Sequence, residues 1–266
     1  MRISVVVRAH NEERNLRATF ESILMQQRVS KGDFELIVVD DASSDETPAI
    51  AEAFEREQRG HLCMRIVRVD VSSRGKALDA GFKAARCEWV ASLDGDSVAD
   101  PQWVRNILDH IEANPAEVTA SGRLEFKEGP RYHRALYANL RSFWFQYFAT
   151  RGLGFLSGAN FWMRRDVFDK VGGTGAFIGK YDDKYLAVQL RRQIRQGLIH
   201  QQGHAGRMGY CPTALVFTDN WILRSRSGPF RDVKWAWEFV QEVREMEFVP
   251  ELFELLKMDL SGVPRS

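Results

Sequence analysis

The chain has 266 residues, of which 44% are hydrophobic, and its formal net charge is +1. This length suits one large α/β domain or two small ones, and the composition is ordinary for a globular protein with a real core. Because the charges balance, no global field would draw the chain to a polyanion, and any basic surface must be local. A nucleic-acid partner is therefore not indicated.

The cysteines and the apolar runs bear on the cellular compartment. Cys63, Cys87 and Cys211 are odd in number and far apart, which favours neither a disulfide framework nor a zinc site. The apolar N-terminal stretch is short and is interrupted by Arg8, and no run of about 18 apolar residues could span a bilayer. We expect a cytoplasmic protein that contacts the membrane peripherally, if at all.

The first half of the chain alternates between short, β-branched apolar runs and stretches of helical periodicity. The predicted strands are 3–7, 34–39, 62–69 and 89–93, and the predicted helices begin near Asn11, taken as an N-cap, and cover 47–59 and 76–85. Such alternation predicts an α/β fold, with a doubly wound, mostly parallel central sheet, right-handed crossovers and helices on both faces.

Polar residues follow three of these predicted strands. Arg8 to Glu12 follow the first, Asp41 the second, and Asp94 and Asp96 the fourth. An Asp-Gly-Asp sequence alone is more typical of a surface turn. At the carboxyl end of a parallel strand, where ligands bind, two close carboxylates instead indicate a cation site, because their charges repel unless a cation or proton joins them.

The second half predicts further elements and a C-terminal extension. Helices are predicted at 101–113, at 131–150 and from 181, strands at 118–126, 160–165 and 214–217, and a loop at 201–209. The aromatic stretch 131–150 is interpreted as a core helix or a homodimer interface in preference to a membrane-facing surface. We expect a catalytic domain at 1–225, with halves 1–125 and 126–225, and an amphipathic helical extension at 226–266.

Six short motifs occur in a specific order. They are Arg8-Ala9-His10-Asn11-Glu12, Val38-Val39-Asp40-Asp41-Ala42-Ser43, Arg74-Gly75-Lys76-Ala77-Leu78, Asp94-Gly95-Asp96, Ser157-Gly158-Ala159-Asn160 and Asp182-Asp183. In this order and spacing, over about residues 1–200, the chain resembles the family 2 glycosyltransferases of the GT-A fold. Each motif is weak alone, but six in order make a specific signal.

This resemblance implies a site for a nucleotide-sugar donor, most readily a UDP-sugar, and for Mn²⁺ or Mg²⁺. It assigns Asp94 and Asp96 to the metal, as the family's Asp-x-Asp motif. This sequence departs from the family pattern at Arg8, where the family usually has proline, and at His10, where the family usually has tyrosine. The implied nucleotide-sugar-binding residues are Arg8, Ala9, His10, Glu12, Asp41, Lys76, Asp94, Gly95 and Arg123.

The resemblance also implies an inverting single displacement. Asp183 matches the general base, Asp182 precedes it, and the acceptor side is assigned to Gly158, Ala159 and Asn160. The acceptor would be a glycan, a lipid-linked molecule or a small molecule. The alternatives are a retaining enzyme, in some of which a late histidine such as His204 joins the metal, a sugar nucleotidyltransferase, and a non-catalytic nucleotide-sugar-binding subunit.

Overall fold

The computed structural model describes residues 1–152, 154–174 and 182–219. The strands are β1 (Ile3–Ala9), β2 (Phe34–Asp41), β3 (Met64–Val69), β4 (Trp89–Asp94), β5 (Val98–Ala99), β6 (Glu117–Phe126), β7 (Asn160–Arg164), β8 (His200–Gln201), β9 (His204–Ala205) and β10 (Arg207–Thr218). The helices are α1 (Leu16–Leu24), α2 (Thr47–Glu57), α3 (Arg74–Ala84), α4 (Trp103–Ala113), α5 (Arg131–Ala149), α6 (Arg165–Lys170) and α7 (Asp182–Arg195).

Eight strands form the central sheet, in the order β3-β2-β1-β4-β7-β6-β10-β5. Strands β3, β2, β1 and β4 are mutually parallel, as are β6 and β10. Strand β7 runs antiparallel to both of its neighbours, β4 and β6, and β5 runs antiparallel to β10. The predicted mostly parallel sheet is therefore confirmed, and β7 joins its two parallel groups.

Helices cover both faces of this sheet. Val5 and Val7 of β1 pack into one core with Leu16 and Phe20 of α1, whereas Val6 packs into the core on the opposite face. Strands buried on both faces read as continuous apolar runs, which is why β1 and β2 were predictable from sequence. Helices α1, α2 and α4 serve the first core, and α3, α6 and α7 serve the second.

The loop after β1 differs from its prediction. Helix α1 begins at Leu16, so the predicted N-cap at Asn11 is wrong. Asn11 instead has a φ of 55°, in the left-handed region that asparagine tolerates better than most residues. Its side-chain oxygen accepts a hydrogen bond from the backbone N–H of Ser44 at 2.8 Å. The residue thus ties the loop after β1 to the loop after β2.

The predicted loop at 201–209 is also wrong. Strands β8 and β9 pair as a hairpin, in which Gln202 and Gly203 both have positive φ, as a two-residue turn of this kind requires. Strand β10 then starts at Arg207 and pairs with β6. Polar, glycine-rich composition predicted a loop here, but pairing with a distant strand determines the structure.

The predicted extension at 226–266 lies outside the described residues, and the domain division stays a prediction. The described residues belong to one compact unit, Met1–Asp219. Within that part of the chain, no helix combines the length and apolar character needed to cross a membrane.

Candidate active site

The carboxyl ends of β1, β2 and β4 surround a cavity of about 240 Å³. Arg8, Asp41 and Asp94 stand at or next to the last positions of these three strands. Their strands lie side by side in the sheet, so residues far apart in sequence share one rim. The residues that line the cavity are Arg8, Ala9, His10, Glu12, Asp41, Ser72, Arg74, Ala77, Asp94, Gly95 and Asp96.

Gly95 brings the ends of β1 and β4 close together. Its N–H donates to the carbonyl oxygen of Arg8 at 2.7 Å. A Cβ built at this glycine would lie 2.9 Å from that oxygen and 3.1 Å from the Cβ of Ala9, which is too close for any larger residue without movement. The absence of a side chain therefore allows the two aspartates beside Gly95 to be presented at the rim of β1.

Arg8 is the cation at the centre of the site. Its guanidinium donates to Asp182 Oδ2 at 2.5 Å, to Asp94 Oδ1 at 2.8 Å and to the carbonyl oxygen of Gly158 at 3.3 Å. Burial opposes the charge of Arg8, but the two carboxylates raise its pKa. Burial also opposes ionisation of Asp94, but the charges of Arg8 and, next, Arg74 hold the pKa of Asp94 below its usual range. Asp94 is thus ionised and already paired.

The pKa of Asp96 is shifted in the opposite direction to that of Asp94. Burial raises its pKa, and the charge of Asp94 raises it further. Its Oδ1 accepts from the hydroxyls of Ser97 at 3.1 Å and Thr218 at 3.3 Å, which are neutral donors. Burial likewise raises the pKa of Glu12, with the charges of Asp96, Asp219 and Asp94 adding to it. This corner of the cavity contains more negative charge than its neighbours compensate.

Asp41 is fixed by the segment that precedes α3. Its Oδ1 accepts from the N–H of Ser73 at 2.7 Å, and its Oδ2 from the hydroxyl of Ser72 at 3.3 Å. Its carbonyl oxygen accepts from Nδ1 of His10 at 2.6 Å, which sets the orientation of that ring. Since a carboxylate offers about four acceptor positions, Asp41 retains capacity for a ligand in the cavity.

Asp182 and Asp183 open helix α7 and have different surroundings. Asp182 is 1% exposed and takes the Arg8 ion pair, with Arg74 Nε 3.6 Å from its Oδ1. Asp183 is less buried, and its Oδ2 accepts from the N–H of Gly158 at 2.9 Å. The start of a helix favours both carboxylates through the dipole. The structure thus separates a buried ion-pair partner from a carboxylate at the edge of the site.

Gly158 connects the two sides of the site. Its N–H binds Asp183, and its carbonyl oxygen accepts from Arg8 and from Ser92 Oγ at 3.0 Å. A Cβ at this position would lie 3.0 Å from the Arg8 guanidinium and 3.5 Å from Asp183. A side chain here would press on both groups, which explains glycine between the Arg8 cluster and Asp183.

Asn160, which the resemblance assigns to the acceptor side, lies in the core, and that role stays a prediction. It is fully buried, donates to the carbonyl oxygens of Arg123 and Ala214, each at 2.8 Å, and accepts from Trp103 Nε1 at 2.9 Å. These bonds use its amide to join β7 to β6, β10 and α4. The neighbouring Ala159 is half-buried and packs against the core on the α1 face.

Three further predicted or weighed residues lie away from the cavity lining. Lys76 is exposed near the start of α3. Arg123 directs its guanidinium to Glu125 at 2.8 Å and to Asn139 at 3.2 Å. His204 is exposed on β9 and lines a separate cavity. Binding roles for Lys76 and Arg123 stay predictions, and the described structure gives them no place beside Asp94 and Asp96.

Sequence reasoning missed several residues that the structure brings to the site. Arg74 lies 3.5 Å from Asp94, although the motif containing it directed attention to Lys76 two positions later. Lys127 donates to the carbonyl oxygen of Asp96 at 2.6 Å and lies 3.8 Å from Asp219, which is buried at the end of β10. Arg74 is the first residue of α3, and Lys127 directly follows β6. The contact of Lys127 depends on the packing of β6 in the sheet, which the sequence did not reveal.

Comparison with known proteins identifies the family. Residues 4–172 match the model described as glycosyl transferase family 2. The chain belongs to glycosyl transferase family 2. It is 27% identical over 224 residues to the probable glycosyltransferase YdaM of Bacillus subtilis, covering 81% of this chain and 50% of that one. It is 26% identical over 200 residues to the glucosyl-dolichyl phosphate glucuronosyltransferase of Haloferax volcanii, covering 70% of this chain and 60% of that one.

Two solved structures share the fold. The mannosyltransferase PcManGT of Pyrobaculum calidifontis, in complex with GDP-Man and Mn²⁺, has a TM-score of 0.64 and 18% identity, covering 92% of this chain and 63% of that one. Staphylococcus aureus TarS 1–349 in complex with UDP-GlcNAc has a TM-score of 0.59 and 17% identity, and the match covers 87% of this chain and 61% of that one. The expected GT-A fold is confirmed. The chain spans about half the length of the curated relatives it matches.

Proposed function

We propose that this protein is a glycosyltransferase that moves a sugar from a nucleotide-sugar donor, most readily a UDP-sugar, to an acceptor hydroxyl by an inverting single displacement. The observation that carries the proposal is the shared cavity of Asp41, Asp94 and Asp96, with Arg8 linking it to the Asp182-Asp183 pair. Family membership and the GT-A fold support the same reaction class.

The carboxylates fit a hard divalent cation. Asp94 and Asp96 offer oxygen ligands of the kind Mg²⁺ and Mn²⁺ prefer, and the raised pKa of Asp96 marks a carboxylate short of positive charge. Among the described residues, no group of three or more acidic, histidine or cysteine side chains could hold a metal by itself. Asp96, with Asp94 beside it, would therefore share the ion with substrate phosphates. When bound, such a cation supplies Lewis-acid stabilisation of the leaving diphosphate.

The protein's own residues act on the two reacting partners. Asp41 holds the uracil or ribose of the donor through its remaining acceptor positions. Arg74, whose charge also serves Asp94 and Asp182, lines the cavity where the diphosphate would lie and offers it charge-assisted hydrogen bonds. Asp183 takes the proton of the acceptor hydroxyl as that oxygen bonds to the anomeric carbon. The bond from that carbon to the diphosphate breaks, and its electron pair leaves with the nucleotide.

Asp183 is a better general base than Asp182 in this arrangement. Asp182 is almost fully buried, and its Oδ2 is committed to Arg8 at 2.5 Å. Asp183 is held by the N–H of Gly158 and lies nearer the surface, where an acceptor can approach. Asp182 then positions the start of α7 through Arg8, while Asp183 performs the proton transfer.

Titration calorimetry with UDP, GDP and dTDP, each with and without Mn²⁺, tests the donor site. We expect UDP to bind more tightly with Mn²⁺, and the Asp41→Ala and Asp96→Asn variants to lose, respectively, nucleotide binding and its metal dependence. The Asp169→Asn variant, which changes an exposed carboxylate on α6, serves as control. Binding of no nucleotide would refute the donor site, and NMR of the transfer product decides between inversion and retention.

A further inference from the structure

Helix α5 exposes an unusual apolar surface. Eight large hydrophobic side chains are exposed in the described part of the chain, and half of them lie on this helix. They are Tyr132, Leu136, Leu140 and Phe143, with exposed fractions of 68%, 55%, 40% and 60%, and we call them the α5 stripe. A group of this kind on a water-soluble surface indicates an interaction site.

The stripe is continuous because of its spacing. Its members are separated by four, four and three residues, so they follow one line along an α-helix. From Tyr132 to Phe143 the line is roughly 17 Å long at the usual rise per residue. The opposite face of α5 is buried, with Tyr137, Phe145 and Phe148 packed toward the sheet. The predicted core helix is thus only one face of α5, and the other face is exposed at the four positions of the stripe.

The charges along α5 favour one class of partner. The stretch from Arg131 to Arg151 contains four arginines and neither aspartate nor glutamate. Arg131 and Arg151 are exposed, and Arg141 is half-buried. Arg141 turns toward the buried face, where it contacts Tyr137 and Phe145, so the exposed positive charge comes from Arg131 and Arg151 at the two ends of α5. Helices that lie in the interface of an anionic bilayer have this combination of features.

Aromatic residues near the end of the stripe add to the case. Phe143, Trp144 and Tyr147 form mutual ring contacts with centroid separations of 5.5 to 6.4 Å. Arg151 lies over the ring of Tyr147 at 3.7 Å. Tryptophan and tyrosine rings, with one polar atom on an apolar body, are enriched at the level of lipid headgroups. The Tyr147 hydroxyl is buried, so the exposed Phe143 and the half-buried Trp144 are the members of this cluster that can meet a lipid surface.

A second copy of this chain fits the same surface less well. Pairing α5 with its symmetry mate would bring together two helices that each contribute arginines and no carboxylate, which places like charges opposite one another. An anionic lipid surface supplies both the apolar layer and the opposite charge.

We propose that helix α5 docks the protein on an anionic membrane surface, with Tyr132, Leu136, Leu140 and Phe143 inserted at the headgroup level and with Arg131 and Arg151 paired with lipid phosphates. This orients the cavity with respect to the bilayer. Lys127, which contacts Asp96, lies four residues before Arg131, so at most about 14 Å of chain separates the cavity rim from the start of α5.

Sedimentation of the full chain with lipid vesicles tests the proposal without nucleotide or turnover, so its result is separate from that of the proposed transfer. The probes are phosphatidylcholine vesicles with and without phosphatidylglycerol, at low and high salt. We expect binding to the anionic vesicles that weakens with salt. The Leu136→Ser, Phe143→Ser double variant should lower the partition coefficient roughly tenfold or more, and Arg131→Gln about fivefold.

Leu198→Ser is the matched control, because this leucine is 61% exposed just after α7 and outside the stripe. It should bind vesicles like the parent protein. Absence of binding to anionic vesicles, or an equal loss in the control, would overturn the proposal. So would a stripe variant that changes the oligomeric mass by light scattering without changing vesicle binding, since a second copy would then be the occupant. If the double variant does not fold by circular dichroism, Tyr132→Ser alone takes its place.

Discussion

Carboxylates are buried at both ends of the parallel strands, but the hydrogen-bond donors around them differ between the two ends. At the amino end, Glu35 of β2 is fully buried and accepts from Ser4 Oγ at 2.6 Å, Arg65 Nη2 at 2.7 Å and the N–H of Arg86 at 2.8 Å. At the carboxyl end, Oδ1 of buried Asp182 has no hydrogen-bond donor in the described part of the chain. The donors that the described residues offer to the Asp96 carboxylate are hydroxyls, and its pKa is raised.

This difference in charge compensation indicates that the amino-end carboxylate stabilises the fold, whereas the carboxyl-end carboxylates serve a binding role. Burial opposes ionisation of Glu35, yet its three donors hold its pKa below the usual range, so the folded protein compensates this charge itself. At the carboxyl end, the described residues leave negative charge uncompensated around Asp96, as the proposed cation site requires. Uncompensated buried charge destabilises the fold in the absence of a ligand, and such strain is characteristic of functional sites. Substitutions at the two ends should therefore have opposite consequences.

The largest expected effect is on catalysis at the carboxyl end. Asp183→Asn should lower the rate of transfer by roughly 10²–10⁴-fold, the usual contribution of a general base, with little change in thermal stability or in nucleotide affinity. Initial rates, calorimetry and thermal denaturation measure the three quantities. Asp169→Asn is the control and should transfer normally. A fully active Asp183→Asn variant would remove this residue from the mechanism.

At the amino end, Glu35→Ala should destabilise the protein by about 3 kcal/mol, because it leaves Ser4, Arg65 and the Arg86 N–H without their common acceptor. Donor affinity per folded molecule should not change. Since the pKa of Glu35 is lowered on folding, its stabilisation is present above the unfolded pKa and is lost as the pH falls through the folded pKa.

Urea denaturation of Glu35→Ala and the parent protein, at neutral and acidic pH, measures this effect. The difference in unfolding free energy should shrink toward acid. Glu52→Ala, which removes a surface carboxylate paired with Arg68, should cost less than about 1 kcal/mol. Equal losses in the two variants would erase the distinction between the buried amino-end cluster and an ordinary surface pair.

The smallest expected effect is a gain in stability. Asp96→Asn removes a carboxylate whose pKa is raised on folding, so the neutral variant should be more stable than the metal-free parent by about 1 kcal/mol near neutral pH. Thermal denaturation in a chelating buffer measures the gain, and addition of Mn²⁺ with UDP should stabilise the parent but not the variant. A destabilised Asp96→Asn would mean that the two ends of the sheet do not differ in this way.

Much of this architecture is readable from local pattern. The runs that became β1, β2 and β4 are mostly apolar because both faces of the sheet are covered there, and periodicity identified the helices between the strands. The rule that ligands bind beyond the carboxyl ends of parallel strands then grouped Arg8, Asp41, Asp94 and Asp96 correctly in space.

Local sequence pattern could not predict the features that depend on contacts with residues distant in sequence. Asn160 ends the recognisable motif Ser157-Gly158-Ala159-Asn160, yet three hydrogen bonds, to Arg123, Ala214 and Trp103, hold it in the core. Composition likewise could not tell that β10 would pair with β6 and bring Asp219 toward Lys127. The separate surroundings of Asp182 and Asp183 arise from the position of Arg8, which their adjacent place in sequence conceals.

The link from Arg8 to Asp182 spans 174 residues of chain, whereas the link from Arg8 to Asp94 spans 86. During synthesis, which proceeds from the N-terminus, β1 to β4 can emerge and pair well before α7 exists. At that stage the Arg8 guanidinium has Asp94 as a partner but lacks Asp182. The rim formed by Arg8, Asp41 and Asp94 can thus begin to form early, whereas Asp183, the proposed general base, is seated only when α7 docks.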